Sequence, residues 1–380
     1  MSKPNLPPLS LYIHLPWCER KCPYCDFNSH ESDVVPQERY IDSLLDDLRG
    51  DLHYVQHRPI ETLFIGGGTP SLFSAAAIRC LMRGIAERVE LSAQLEATME
   101  ANPGSAEAEK FQGFRAAGIN RLSLGIQSFQ DEQLRALGRV HDADEAHAAI
   151  EIVRAAGFDN FNIDLMHGLP GQTEAGATAD LSAALAYNPP HLSWYQLTVE
   201  PNTVFYKRPP TLPLEDLLGD IQDAGESLLA NRGYRQYEVS AYSLAHRTCQ
   251  HNLNYWSFGD YLGIGAGAHG KVSFADGRIT RYAKRRQPDE YMSTKNEGFT
   301  SNSRNLKRAD LCGEYMLNVL RLNGGFSPEQ FSSRTGMDID VLLAKVESLQ
   351  RRGLLHNGGG NIRTSELGRR FLDSVVAEFF

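Results

Sequence analysis

Residues 9–25 read LSLYIHLPWCERKCPYC. The first seven, Leu9–Leu15, are apolar or uncharged at neutral pH and rich in β-formers, which predicts a buried strand. Directly after it stand Cys18, Cys22 and Cys25, spaced C-x3-C-x2-C. The same grammar recurs outward from this stretch. β-Rich runs fall at 61–65 (ETLFI), 95–99 (LEATM), 121–126 (RLSLGI), 161–165 (FNIDL) and 191–199 (HLSWYQLTV). Helical spacing fills the intervals at 39–48, 75–88, 106–117, 144–156 and 174–186. Gly118, Gly157 and the pair Asn188-Pro189 close several of these. Such alternation predicts parallel strands joined by right-handed crossovers. Six units suit a barrel or open part-barrel, with a doubly wound sheet as the alternative.

Each strand is followed at once by chemically unusual residues. They are the cysteines, Gly66-Gly67-Gly68-Thr69-Pro70, Glu100-Ala-Asn102-Pro103-Gly104, Gln127-Ser128-Phe129, His167-Gly168-Leu169-Pro170 and Glu200-Pro201-Asn202. In parallel α/β folds the loops beyond the carboxyl ends of the strands converge on the ligand site. Any one of these loops is explained by turn chemistry. Six on one rim predict a single site.

The composition narrows the class. The chain has 380 residues, 38 basic and 47 acidic side chains, a net charge of −9 and 42 % apolar residues. That balance disfavours nucleic-acid binding through bulk electrostatics. No apolar run approaches the ~20 residues of a membrane span, and the opening MSKPNLPPLS lacks the apolar core of a secretory signal. Six cysteines are too few for a disulfide scaffold, so reduced thiols in the cytoplasm are expected.

After Pro209-Pro210 the pattern changes. Residues 214–231 predict a helix, 234–242 (YRQYEVSAY) a strand, and 272–280 a hairpin turning at Asp276-Gly277. The polar stretch 285–305 reads as a linker. Beyond it three helical segments, an extended pair around Gly358-Gly359-Gly360 and a last helix predict a winged-helix-like domain. The expected units are 1–210, 211–305 and 306–380. Gly265-Ala-Gly267-Ala-His-Gly270 matches GxGxxG by letter, but no helix follows, so it is no dinucleotide fingerprint. Arg351, Arg352, Arg369 and Arg370 read as a solvated face.

The cysteine trio carries the chemistry. A zinc site needs a fourth ligand, and the chain has no second CxxC-type pair. A redox CxxC needs no third thiol. A c-type haem attachment needs histidine where Asp26 stands. Three thiolates suit a 4Fe–4S cubane whose fourth iron is left for a small molecule's amine and carboxylate.

With an aromatic, Tyr24, before the last cysteine, this spacing resembles the signature of the radical S-adenosylmethionine superfamily. The resemblance implies an α/β fold, a partial (β/α)6 TIM-type barrel. The strings FIGGGTPS, MEANPG, GIQSF, LGRVH, NIDLMHGLPGQT, NPPHLSWYQLTVEPNT and HNLNYW narrow it to the HemW family of haem chaperones, relatives of the oxygen-independent coproporphyrinogen III oxidases. Those oxidases carry a fourth cysteine where Phe27 stands here, and a longer N-terminal extension.

The resemblance implies Cys18, Cys22 and Cys25 as cluster ligands and a set of S-adenosylmethionine contacts. Tyr12 would touch the cofactor and Tyr24 would offer its backbone to the adenine. Gly67, Gly68 and Thr69 would hold the methionine end, Glu100 the ribose hydroxyls, and Gln127 and Arg139 the carboxylate region. Asp164 and Thr198 would complete the pocket. His251, in His251-Asn-Leu-Asn-Tyr255-Trp256, is implied as a haem ligand, a buried cluster sealing the barrel mouth being the structural alternative. Implied partners are haem, acceptor haemoproteins such as those of the respiratory chain at the membrane, and a second copy of the chain.

Overall fold

The computed structural model describes residues 6–104 and 108–380. Its frame is six parallel strands in sequence order: β1 (Leu9–Leu15), β2 (Ile60–Gly67), β3 (Leu91–Ala101), β4 (Arg121–Gln127), β5 (Phe161–His167) and β6 (His191–Gln196). The crossover helices are α1 (Gln37–Gly50), α2 (Ala75–Ala86), α3 (Ala108–Ala116), α4 (Ala143–Ala155) and α5 (Glu174–Ala186). The expected helix 106–117 is thus helical over α3, its first two residues lying outside the described ones. Asp142 caps α4 through a reciprocal capping box with Glu145, and Thr173 caps α5.

Period two divides the strand side chains. Leu9, Leu11, Ile13 and Leu15 are fully buried and join Tyr40, Leu44 and Leu48 of α1 in one core cluster. Ser10, Tyr12 and His14 face the other way, where Ser10 Oγ meets Thr62 Oγ1 at 2.7 Å. The barrel interior is therefore polar and the shell around it apolar.

The sheet continues on both sides. Beyond β6 lie β7 (Arg235–Glu238) and β8 (Ala241–Ser243). Beyond β1 come β9 (Asp260–Ile264), parallel to it, then β10 (His269–Ser273), β11 (Ile279–Lys284) and β12 (Thr300–Asn305), each antiparallel to the last. The twelve strands run β12-β11-β10-β9-β1-β2-β3-β4-β5-β6-β8-β7. The hairpin about Asp276-Gly277 is present.

Two expectations fail here. Residues 234–242 form a hairpin and not one strand, because the Glu238 carboxylate turns the chain by accepting from the Ser240 amide and hydroxyl at 3.2 and 3.0 Å. The stretch 285–305 is no linker. It holds a helix, Pro288–Ser293, anchored by buried Tyr291, whose hydroxyl donates to Asp47 at 2.6 Å, and then β12. That edge strand is exposed along nearly its whole length, so backbone pairing defines it with no apolar pattern to betray it.

The helix α6 (Glu215–Asn231) packs against α5, and α7 (Gln250–Trp256) precedes β9. The C-terminal segment buries its own cluster, with Tyr315, Phe326, Phe331, Val346 and Leu355 at its heart. Its helices Arg308–Val319, Pro328–Thr335 and Asp340–Arg351 precede the hairpin Leu355–Gly358/Asn361–Thr364. Arg370 bridges it to Asp223 of α6 at 2.8 Å, and Arg321 to Glu238 at 3.4 Å.

Candidate functional site

At the carboxyl end of the strands lies a cavity of about 580 Å³. It is lined by Cys18, Cys22, Cys25, Tyr24, Gly67, Gly68, Thr69, Glu100, Gln127, Arg139, Asp164 and Thr198, twelve of the fourteen residues expected from the sequence. Local geometry explains how they meet. Trp17–Cys18 pairs in parallel with His30–Glu31, fastening both ends of the cysteine loop, and the Cys25 amide donates to the Cys22 carbonyl at 3.1 Å. The glycine loop locks beneath it: Gly68 N–H donates to Leu15 O at 2.8 Å and Thr69 N–H to Trp17 O at 2.7 Å. A Cβ on Gly68 would stand 2.4 Å from the Trp17 carbonyl oxygen, so the approach requires glycine.

Charge is concentrated on one wall. Arg139 Nη2 donates to Asn102 Oδ1 and to Gly125 O, each at 2.7 Å, while Nη1 reaches Cys22 Sγ at 3.6 Å. Asn102 passes the link on to Thr69 Oγ1 at 3.1 Å. Gln127, in a left-handed conformation at φ 71°, accepts from the Tyr195 hydroxyl at 2.7 Å. Asp164 accepts from Ser123 at 2.9 Å and Asn162 at 2.8 Å, and Thr198 donates to Glu200 at 2.9 Å.

Burial dominates the titration of this wall. It pushes Cys18 and Cys25 up as free thiols, a state that metal binding reverses by taking the proton. Glu100 is pushed up to about 7 by burial and by the Asp164 carboxylate, against the pull of the Gly67 amide it accepts from at 3.1 Å. A carboxyl raised above its unfolded value of 4.5 keeps its proton longer in the folded state. Its penalty is absent at low pH and grows as the pH climbs toward 7. Ligand-free Glu100→Gln should therefore melt about 2–4 °C higher than wild type near pH 8 and equally near pH 4. Identical melting differences at both pH values would contradict this.

Two expected residues stand apart. Tyr12 does not line the cavity: its hydroxyl pairs with His14 Nδ1 at 2.9 Å and its ring stacks on Phe64, beneath the wall that Glu100 forms. His251 is at the opposite end of the barrel. It is buried, and its Nδ1 pairs with Thr62 Oγ1 at 3.0 Å. Thr62 precedes Gly67 by five strand residues, about 16 Å. The helix α7 closes the floor, not the mouth: Glu96 accepts from the Gln250 and His251 amides at 2.8 and 3.1 Å. Burial drives the His251 imidazole down to about 3.

Asn102 and Tyr195 were not assigned from the sequence. The strand-end position of Asn102 was visible, but its role joining Arg139 to Thr69 is a tertiary contact. Among the described residues no three His, Cys, Asp or Glu side chains converge on a single ion. A cubane does not call for such convergence, because each thiolate binds a different iron. The guanidinium beside Cys22 suits an anionic sulfur-rich group, and the glycine backbones with Glu100 and Asp164 suit a zwitterion with a hydroxylated sugar.

The model for the Radical SAM superfamily matches residues 12–181, and that for the HemN C-terminal domain matches 306–371. Among curated proteins, the Escherichia coli protein named heme chaperone HemW is 48 % identical over 99 % of both chains. The Bacillus subtilis protein of that name is 34 % identical over 97 % of this chain and 98 % of its own. The solved structure of Escherichia coli coproporphyrinogen III oxidase (HemN), a radical SAM enzyme, superposes with a TM-score of 0.83 at 24 % identity, covering all of this chain and 91 % of that one; it shares the fold. With relatives this similar along its full length, the chain belongs to the HemW family of the radical SAM superfamily.

Proposed function

We propose that this protein binds haem and hands it to acceptor haemoproteins in the cytoplasm or at the membrane, with a 4Fe–4S cluster and S-adenosylmethionine held in the barrel mouth. The observation that carries this reading is the 48 % identity, end to end, with a protein named heme chaperone. Cys18, Cys22 and Cys25 would each hold one iron, and the fourth would take the cofactor's amine and carboxylate. Gly67, Gly68 and Thr69 would bind the methionine end, Glu100 the ribose, Gln127 and Arg139 the carboxylate region, and the Tyr24 backbone the adenine. Asp164 and Thr198 would close the pocket, while Tyr12, expected to touch the cofactor, pairs instead with His14 and Phe64 outside the cavity lining. When bound, the pair supplies one-electron reduction chemistry; the protein's part is to bind, orient and exclude water. The units 1–210, 211–305 and 306–380 would be the cofactor barrel, its continuation and the winged-helix-like cap.

Six free cysteines suit a reducing compartment, and no helix among the described residues is long and apolar enough to cross a membrane. The test loads anaerobically reconstituted protein with haemin and mixes it with an apo-form b-type cytochrome. Transfer should appear as the acceptor's Soret band, and failure to load or to deliver would remove the carrier reading. Coproporphyrinogen III, dithionite and S-adenosylmethionine given to the same preparation should yield no protoporphyrinogen. Turnover would instead favour the oxidase, whose fourth cysteine is replaced here by exposed Phe27. The haem role implied for His251 enters as His251→Ala.

A further inference from the structure

Asp164 lines the cysteine cavity from β5, and the strand's period of two puts Asn162 on the same face, one step deeper. The Asn162 amide spends both of its hydrogens on supporting that carboxylate. One goes directly to Asp164 Oδ1 at 2.8 Å. The other goes to Ser123 Oγ at 2.7 Å, and the Ser123 hydroxyl donates in turn to Asp164 Oδ2 at 2.9 Å. Both carboxylate oxygens are thus held through one amide. The grip depends on which way the amide points, because turned over it would set its own oxygen against the carboxylate.

His191, the register partner of Asn162 at the start of β6, decides that direction. Its Nδ1 lies 2.6 Å from Asn162 Oδ1, and its Nε2 lies 2.8 Å from the Tyr237 hydroxyl of β7. Burial and the Arg121 guanidinium drive the imidazole well below its ordinary 6.5, so the ring is neutral, with one donor and one acceptor. A carboxylate only accepts, and this fixes every bond behind it. Asn162 must turn its NH2 to Asp164 and its oxygen to His191. Nδ1 then carries the proton, and Nε2 accepts from Tyr237. The lone pairs of the Tyr237 oxygen are left for the Cys249 amide, 3.3 Å away at the start of α7. Ser193 adds a longer bond to Asn162 Oδ1, 3.2 Å, from a hydroxyl that Asp164 also draws. His191 is the donor that cannot turn away.

The far end of this chain is anchored from outside the barrel. Tyr237 sits on a four-residue strand at the edge of the sheet. Its carbonyl accepts from the Asn323 amide of the C-terminal segment at 3.0 Å, and the Asn323 side chain donates to the Gln236 carbonyl at 3.0 Å. Arg321 pairs with Glu238 on the other side. Asn162 and His191 are 2 % and 1 % exposed, so no bulk water competes for their bonds. A buried polar network with every member satisfied is stiff.

We infer that His191 and Tyr237 are positioning residues for the cofactor cavity, acting through Asn162 to hold Asp164 in one orientation for S-adenosylmethionine. The inference rests on the reading of Asp164 as a cofactor contact. It goes beyond that reading by making affinity depend on two side chains that do not line the cavity. A carboxylate fixed in advance loses little freedom when a ligand arrives, and the affinity keeps what would otherwise be lost in ordering it. The opening amide of α7, at the other end of the barrel, thereby becomes the first link of a directed chain that ends at the cofactor.

The test measures S-adenosylmethionine affinity in anaerobically reconstituted wild type, Asp164→Ala, His191→Leu, His191→Gln and Tyr237→Phe, each with its thermal transition recorded. Asp164→Ala should bind at least about tenfold more weakly, as expected for a lost bond to a charged group. His191→Leu and Tyr237→Phe should each lose about three- to tenfold. His191→Gln, whose amide again offers a donor and an acceptor, should stay within about twofold of wild type. Adding His191→Leu to Asp164→Ala should cost nothing further, because the two act through one contact. Folded His191→Leu and Tyr237→Phe with wild-type affinity, beside a weakened Asp164→Ala, overturn the positioning and leave the cofactor reading standing. A glutamine variant as weak as the leucine one, or losses that add in the double variant, overturns it as well. Should His191→Leu fail to fold, unaltered affinity in Tyr237→Phe decides against it. Asp164→Ala with full affinity, or wild type that binds none, removes the cofactor reading and the positioning together.

Discussion

Serine at Cys22 should leave anaerobically reconstituted protein colourless where wild type is brown, with iron and sulfide contents falling toward zero. The thiol is half-buried on the cavity wall, with the Arg139 guanidinium at 3.6 Å as its polar neighbour. A hydroxyl does not replace a thiolate toward iron, and two cysteines cannot hold three corners of a cubane. The fold should hardly register the change. The loop is fastened through the Cys22 carbonyl and the Trp17–Cys18/His30–Glu31 pairing, none of which the substitution alters. Chemical denaturation of the cluster-free forms should agree within about 0.5 kcal/mol. S-adenosylmethionine affinity should fall with the colour, because the open iron goes with the cluster. Retention of full iron and sulfide by the serine variant would mean that the three thiols are not the ligand set.

The second large effect lies far from the cavity. Asp260 is fully buried on β9 and accepts from Arg58 Nη1 at 2.7 Å, Lys271 Nζ at 2.8 Å, and the Ser273 amide and hydroxyl at 2.9 and 2.8 Å. Burial alone would raise this carboxyl, but the Lys271 ammonium and the hydrogen bonds bring it below the ordinary aspartate value of 3.8. Lys271 is itself buried, over the Phe258 ring at 4.3 Å, where the barrel meets the C-terminal core. Asp260→Ala strands that ammonium without a counter-charge and should cost about 3–5 kcal/mol. Adding Lys271→Met should recover much of the loss, because both charges are then gone. A depressed carboxyl contributes stability above its unfolded value that fades as the pH falls through its folded one. Wild type should therefore lose its advantage over Asp260→Ala in acid below the aspartate range. A constant difference between neutral and acid pH would contradict the linkage, and a loss under 1 kcal/mol the burial argument.

The barrel was legible because its six strands are buried on the helix side and polar within, and because each ends in residues with chemical purpose. Cys18, Cys22, Cys25 and the Gly67-Gly68-Thr69 loop carry their meaning in short spacing, which sequence records directly. What escaped is what depends on partners distant in the chain. β12 has no apolar pattern, the Glu238 turn is made by a side chain, and the links from Arg139 to Asn102 and from Gln127 to Tyr195 cross between strands. His251 shows the limit most clearly. Its neighbours Tyr255 and Trp256 suggest a porphyrin, yet topology sets it under the barrel, where its imidazole is buried against Thr62.

The stopper at the bottom has a consequence for traffic. With Glu96 pinning α7, and Asn254 donating to Ser10 and to the Asp260 carbonyl at 2.8 and 2.9 Å, the end of the barrel away from the cysteines is tied shut. A guest of the cysteine cavity then comes and goes at the carboxyl end of the strands.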